Sequence, residues 1–204
     1  MERIQNYCSL LDRRDYFGFI DTDNIEDSLM DFEGKKITII GAAKSGLAAA
    51  RLADRLGARV RISEKGGPEK VPEDFKRWAN DRRVLFEYGG HTPAFVTDAD
   101  LVVISPGVRF DAEPLAWARA KNIPVWGEIE FAFRFCRKPV IAVTGSNGKT
   151  TTVNLIKEIL ASAGYRPRLC GNVGVPFANF VLDLEDIDYV VLEVSSFQME
   201  TIET

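Results

Sequence analysis

No apolar run in the 204-residue chain approaches the roughly 20 residues that span a bilayer, and the N-terminus (MERIQNYCSL) lacks the apolar stretch of a secretory signal. A membrane is therefore not an expected partner. Excess charge is also scarce. Lys and Arg total 26 against 30 Asp and Glu, a net charge of -4, which gives no reason to expect nucleic acid. The single histidine, His91, excludes a multi-histidine metal site within the chain. The three cysteines, Cys8, Cys136 and Cys170, form neither a CxxC pair nor a framework, so reduced thiols in a cytoplasmic compartment are expected. With 46% hydrophobic residues, the composition is that of a globular protein.

Short apolar runs alternate with helix-like stretches. Lys36–Ile40 (KITII) reads as a strand ending in Gly41. Leu47–Leu56 then sets Leu47, Ala50, Ala53 and Leu56 on one helical face, with Gly57 as a stop. Further strands are read at Arg59–Ile62, Val84–Tyr88, Leu101–Ile104 and Val125–Trp126, with a helix at Glu113–Lys121. A boundary falls near Arg134–Pro139, after which the cycle restarts. Pro139–Val143 is a strand, and Lys149–Ala163 is a helix with Val153, Ile156, Ile159, Leu160 and Ala163 spaced for burial. Strands at Arg168–Cys170 and Tyr189–Val194 follow. This alternation predicts an α/β fold with a parallel sheet and helices on both faces. Residues 1–34 carry net charge -6, leaving +2 for the rest, and read as an acidic N-terminal extension. Residues 35–137 form one domain. Residues 138–204 form the start of a second that looks incomplete, so the chain is expected to be a fragment.

Three segments carry chemistry. The strongest is Val143–Thr152 (VTGSNGKTTT), between a strand and an amphipathic helix. Gly145, Ser146, Asn147 and Gly148 form a turn whose backbone N–H groups can face phosphate oxygens, and the helix start adds its positive dipole end. Lys149 can reach terminal phosphates, the Thr150 hydroxyl can ligate Mg²⁺, and Thr151 extends the same turn. The strict GxxxxGK[ST] pattern is not met, because Val143 stands where it asks for Gly. A second glycine loop, Ile40–Leu47 (IGAAKSGL), resembles GxGxxG with Ala43 at the middle position. Glu64 follows at the end of the next strand, where a ribose-binding acid would sit. NAD, another nucleotide, or a purely structural turn all remain open for this loop. The third segment, Leu192–Gln198 (LEVSSFQ), puts Glu193 at a strand's carboxyl end, where it could hold Mg²⁺, with Ser195, Ser196 and Gln198 as neutral hydrogen-bonding groups. A capping serine is the alternative there. Gly171–Pro176, with Asn172, and Ser105-Pro106-Gly107 each read as a turn or a polar site. His91, in a Gly-Gly-His-Thr-Pro loop, is not read as catalytic.

Together these segments resemble the Mur ligase family over about residues 35–204. The resemblance rests on Thr144–Thr151 (TGSNGKTT), Gly171–Gly174 (GNVG) and Glu193–Gln198 (EVSSFQ), the last being closest to the D-glutamate-adding branch. It implies a Rossmann-like UDP-binding domain followed by the first part of a P-loop ATPase-type domain. It further implies an ATP- and Mg²⁺-dependent amide ligase of cytoplasmic peptidoglycan precursor synthesis, monomeric, joining D-glutamate to UDP-N-acetylmuramoyl-L-alanine through an acyl phosphate. ATP would lie at Gly145–Thr151. The UDP-sugar would meet Lys44, Ser45, Gly46, Glu64, Lys65, Ser105, Pro106 and Gly107, with Asn172, Ser195, Ser196 and Gln198 nearby. Lys149, Glu193 and Asn172 would serve catalysis, and Thr150 and Glu193 the metal. The family's histidine motif, carbamylated lysine and C-terminal domain have no counterpart here, so the chain alone is expected not to turn over. A non-catalytic UDP-sugar-binding module, or another Mur or folylpolyglutamate-type ligase, is the alternative.

Overall fold

The computed structural model describes residues 32–202. The part of the acidic extension up to residue 31, with Cys8, lies outside the described residues. Phe32, which the sequence reading put in that extension, is buried, its ring set edge-on to Phe131 with centroids 5.8 Å apart.

The first unit is a five-stranded parallel sheet of order β3-β2-β1-β4-β5. Its strands are β1 (Lys36–Ile40), β2 (Arg59–Glu64), β3 (Leu85–Tyr88), β4 (Leu101–Ile104) and β5 (Val125–Gly127). The crossovers are α1 (Lys44–Arg55), α2 (Glu73–Asp81), α3 (Pro93–Thr97) and α4 (Glu113–Ala120). The β-branched run of β1 and the apolar run of β4 are buried on both faces, as central parallel strands require. Helix α1 can lie close on the sheet because Gly46 has no side chain. A Cβ there would come within 2.0 Å of the Gly41 carbonyl oxygen.

Helix α5 (Glu128–Phe133) links this sheet to a second, three-stranded parallel sheet of order β6-β8-β7. Its strands are β6 (Val140–Val143), β7 (Pro167–Gly171) and β8 (Tyr189–Glu193), with α6 (Lys149–Ser162) crossing from β6 to β7 and α7 (Ser196–Met199) after β8. One apolar core runs through both units, from Ile37, Ala49 and Leu52 to Phe177, Val181 and Val190. No helix among the described residues is long and apolar enough to cross a membrane.

Two sequence expectations need correction. Within α6, Ile159 is 58% exposed and Ala163, just beyond it, is exposed as well, although both were spaced for burial. Only Val153 of this helix is fully buried, because three strands cover a narrower face than five. Helices α2, α3 and α5 were not foreseen: α2 is mostly polar, α3 is five residues long, and α5 is six residues long, ending just before the boundary read at Arg134–Pro139.

Candidate active site

Strand register sets the geometry. In the second sheet Val143, Glu193 and Gly171 lie abreast at the carboxyl edge. The residues just past them, the Thr144–Gly148 loop, Asn172 and the backbone leading to Ser195, therefore meet at one point. Gly171 is required there. Its φ is +100°, and a Cβ would fall 2.3 Å from the Glu193 carbonyl oxygen. The Glu193 side chain, 1% exposed, gathers the site: Thr150 Oγ1 donates to its Oε2 at 2.9 Å, and Asn172 Nδ2 donates to its Oε1 at 2.9 Å. Asn172 is fixed a second time, its backbone N–H donating to the Glu193 carbonyl oxygen at 2.8 Å.

The loop itself is open. Gly145, Ser146, Asn147, Gly148, Thr150 and Thr151 are exposed, and Lys149 folds back so that Nζ donates to the Gly145 carbonyl oxygen at 2.8 Å. Gly148 is the N-cap of α6 and has no side chain to satisfy the first helical N–H groups, which leaves them directed at the loop. A hydroxyl and a carboxylate, both hard oxygen donors, suit Mg²⁺, which takes one or two protein ligands and completes its shell with phosphate and water. Among the described residues no group of three or more His, Cys, Asp or Glu forms a fuller metal cage.

The first sheet has a matching edge, where Glu87, Ser63, Ile40, Ile104 and Gly127 lie abreast. One residue further on stand Glu64, Gly41, Ser105 and Glu128. Glu64 closes the first glycine loop: its Oε2 accepts the Ala42 N–H at 2.6 Å and its Oε1 the Gly66 N–H at 2.7 Å. Lys44 and Lys65 are exposed, while Ser45 and Gly46 form the first turn of α1. Ser105 is buried beside Gly41, and its hydroxyl has no hydrogen-bond partner among the described residues. Pro106 and Gln198 line one cleft, together with Val108, Phe110, Phe197 and Thr201, so the Ser-Pro-Gly turn and the α7 segment face each other. Gly107 and Ser196 are exposed. Ser195 and Gln198 form a capping box, with Ser195 N–H donating to Gln198 Oε1 at 2.8 Å and Gln198 N–H to Ser195 Oγ at 3.3 Å. The capping alternative thus describes Ser195 in this structure.

Sequence reasoning missed two groups. At the ends of β2 and β3, Ser63 Oγ donates to Glu87 Oε1 at 2.6 Å and lies 2.7 Å from His91 Nδ1. The Thr92 hydroxyl also donates to Glu87, which accepts the Thr92 N–H as well. With its one hydrogen directed at Glu87, the Ser63 hydroxyl can only accept a hydrogen bond from His91, which requires the ring hydrogen on Nδ1. Burial opposes the ionised Glu87, but the Ser63 and Thr92 donors outweigh it and hold its carboxyl below the usual range. Burial pushes the His91 imidazole down, against the pull of Glu87 and Glu64. The second group is Glu128, which is buried and accepts the backbone N–H of Ala178. Neither was findable from local spacing, since the partners are 24 to 50 residues apart.

A glycine loop feeding a helix that opens Lys-Thr-Thr, with a carboxylate abreast of it on the next strand, places the protein in the P-loop class of α/β folds, here joined to a Rossmann-like unit. Residues 35–127 match the Mur ligase MurD-like N-terminal domain, and residues 143–204 match the Mur ligase middle domain. The chain belongs to the Mur ligase family. The UDP-N-acetylmuramoylalanine--D-glutamate ligase of Pelodictyon phaeoclathratiforme is 44% identical over 177 residues, covering 84% of this chain and 37% of its own. The enzyme of that name from Koribacter versatilis is 43% identical over 174 residues, covering 85% and 38%. Among solved structures, a murein peptide ligase from Psychrobacter arcticus overlaps 80% of this chain and 39% of its own, at 23% identity and a TM-score of 0.49. The chain thus spans under two-fifths of the length of these curated relatives.

Proposed function

We propose that the chain is the uridine-nucleotide-binding and ATP-loop part of a ligase that joins D-glutamate to UDP-N-acetylmuramoyl-L-alanine, in cytoplasmic peptidoglycan precursor synthesis. The observation that carries the reading is the double engagement of Glu193 by Thr150 and Asn172, which groups a metal-binding hydroxyl, a carboxylate and a substrate-facing amide. Mur ligases are ATP-dependent, and the relatives' names supply the substrate pair.

In this reading the L-alanine carboxylate attacks the γ-phosphorus of ATP, the bond to ADP breaks, and an acyl phosphate forms. The amine of D-glutamate then attacks the acyl carbon, loses a proton and expels phosphate. Phosphoryl transfer of this kind needs positioning and charge neutralisation more than covalent help from the protein. Lys149 leaves the Gly145 carbonyl and neutralises phosphate charge. The backbone N–H groups of Gly145–Thr151 orient the phosphate chain. Thr150 and Glu193 would hold Mg²⁺, which when bound would screen the phosphate oxygens. Asn172 directs the acyl substrate. In the first unit, the free hydroxyl of Ser105 and the loop closed by Glu64 receive the uridine diphosphate, with Lys44 and Lys65 as cationic neighbours.

Calorimetric titration of the chain with UDP-N-acetylmuramoyl-L-alanine and, separately, with Mg·ATP tests the reading. Binding of both is expected, with Lys149→Ala losing only the second. Uridine binding with no trace of Mg·ATP binding would favour a non-catalytic UDP-sugar module instead.

A further inference from the structure

Glu128 is the first residue of α5, one position past Gly127, whose strand pairing with Ile104 fixes it to the first sheet. Its side chain is 2% exposed. The Oε1 atom accepts the backbone N–H of Ala178 at 2.7 Å, a contact across 50 residues into the second unit. Ala178 belongs to the 3₁₀ turn Phe177–Asn179, which immediately follows the Gly171–Pro176 loop. The other oxygen, Oε2, is buried and has no hydrogen-bond partner among the described residues. Burial pushes the carboxyl up to about 7, against the opposing pull of the Ala178 and Phe177 amides.

A buried carboxyl with an idle oxygen is a poor device for stability, because the unmet group carries its full desolvation penalty. A sequence that departs from the rule of satisfied buried polar groups does so most readily at functional sites. The neighbours of Glu128 say which site. Thr201 presses so closely that a Cβ on Gly127 would fall 2.1 Å from its Oγ1. The start of α5 thus lies where β5, the chain leaving α7 and the turn after the Asn172 loop all meet. That loop is pinned at its other end to β8 by the Asn172 N–H bond to the Glu193 carbonyl oxygen, and it is closed on itself by the Gly171 N–H bond to the Val175 carbonyl oxygen.

We propose that Glu128 is a positioning residue that holds the Gly171–Pro176 loop, and with it Asn172, in register with the strand ends of the first unit. The proposal rests on the reading of Asn172 as the substrate-directing amide. A directional acceptor is what the position needs: Gln supplies one through its amide oxygen, and an aliphatic side chain does not.

The test compares wild type, Glu128→Gln and Glu128→Ala, with Glu128→Met replacing the last if it fails to fold. Affinity for UDP-N-acetylmuramoyl-L-alanine and for Mg·ATP is measured by calorimetry, alongside backbone amide exchange. The Ala variant is expected to bind the uridine substrate about tenfold more weakly and Mg·ATP within about twofold of wild type, with Gln restoring the difference. Its amides at residues 171–178 exchange at least about tenfold faster while those of β1 keep their protection. Equal losses for both ligands, no loss, or a Gln variant no better than Ala would overturn the proposal. If wild type binds no uridine ligand, the functional reading fails and the exchange data alone decide. Uniform acceleration, or none at 171–178, then defeats the positioning role as well.

Discussion

Helices α1 and α6 do the same topological work, each crossing from a glycine loop back onto a parallel sheet, yet they are packed very differently. Over 12 residues α1 buries Gly46, Ala48, Ala49, Ala50, Leu52 and Ala53, whereas over 14 residues α6 buries only Val153. Leu155 and Ile159 stand 59% and 58% exposed. The contrast lies in what surrounds each helix. Five strands and the Phe177–Asn179 turn flank α1, and three strands lie under α6. The second unit therefore concentrates its order at the carboxyl edge, around Glu193, and the first unit spreads it through a core.

If that division holds, the largest single effect should come from a residue that contributes almost nothing to packing. Lys149→Ala is expected to weaken Mg·ATP binding, or phosphoryl transfer in a longer form of the protein, about 10²–10³-fold, on the order of 3–4 kcal/mol. Its thermal melt should stay at the wild-type position. A shifted melt with intact nucleotide binding would reverse the roles given to the two units.

The same substitution made in the two helices sharpens the comparison. Leu52→Ala, at 1% exposure, should lose about 3 kcal/mol of unfolding free energy through lost burial and the cavity left behind. Leu155→Ala, on α6, should change it by under about 0.5 kcal/mol. Urea titrations of both variants read this directly. Similar losses would mean that the second unit has a core of its own.

Glu128 gives a pH dependence where the units join. Its carboxyl titrates at about 7 in the folded chain against an ordinary 4.5, because burial favours the protonated form. Its contribution to stability is thus fully present below about pH 4.5 and is lost as pH rises through 7, a change on the order of 3 kcal/mol. Glu128→Gln should flatten that part of the stability curve between pH 5 and 8. A slope unchanged by the substitution would assign the titration elsewhere.

The smallest effect is expected from the exposed bridge between the units. Arg55 Nη1 and Nη2 each donate to a carboxylate oxygen of Asp183 at 2.6 Å. Both side chains are about half exposed, so solvent screens the pair, and Arg55→Ala should cost no more than about 1 kcal/mol, less at high salt.

What the sequence disclosed follows the same line between local and distant. The strands were readable because β-branched runs such as Lys36–Ile40 and Tyr189–Glu193 stand out from polar flanks. The glycine-loop segment was readable because Gly145–Thr151 holds its whole chemical pattern in seven consecutive residues. Helix α2 was hidden by its polar sequence (EDFKRWAND), of which only Phe75 and Ala79 are buried. Ile159 was misjudged because periodicity reports an apolar face but not whether anything covers it. The Ser63–Glu87–His91 cluster and the Glu128–Ala178 contact depend on register between strands far apart in sequence, which no local window contains.

The order of the second sheet also fixes when it can come into being. Among the described residues, strands β6 and β7 of that sheet hydrogen-bond to β8 and not to each other, and β8 is the last of the three to be synthesised. On the ribosome the first sheet can close once Val125–Gly127 has emerged, whereas β6, α6 and β7 must wait, unpaired, for Tyr189–Glu193. Because Glu193 ends that strand, the meeting of Thr150 and Asn172 is assembled at the close of translation of this region, and a pause or stop before it leaves two adhesive strands without their template.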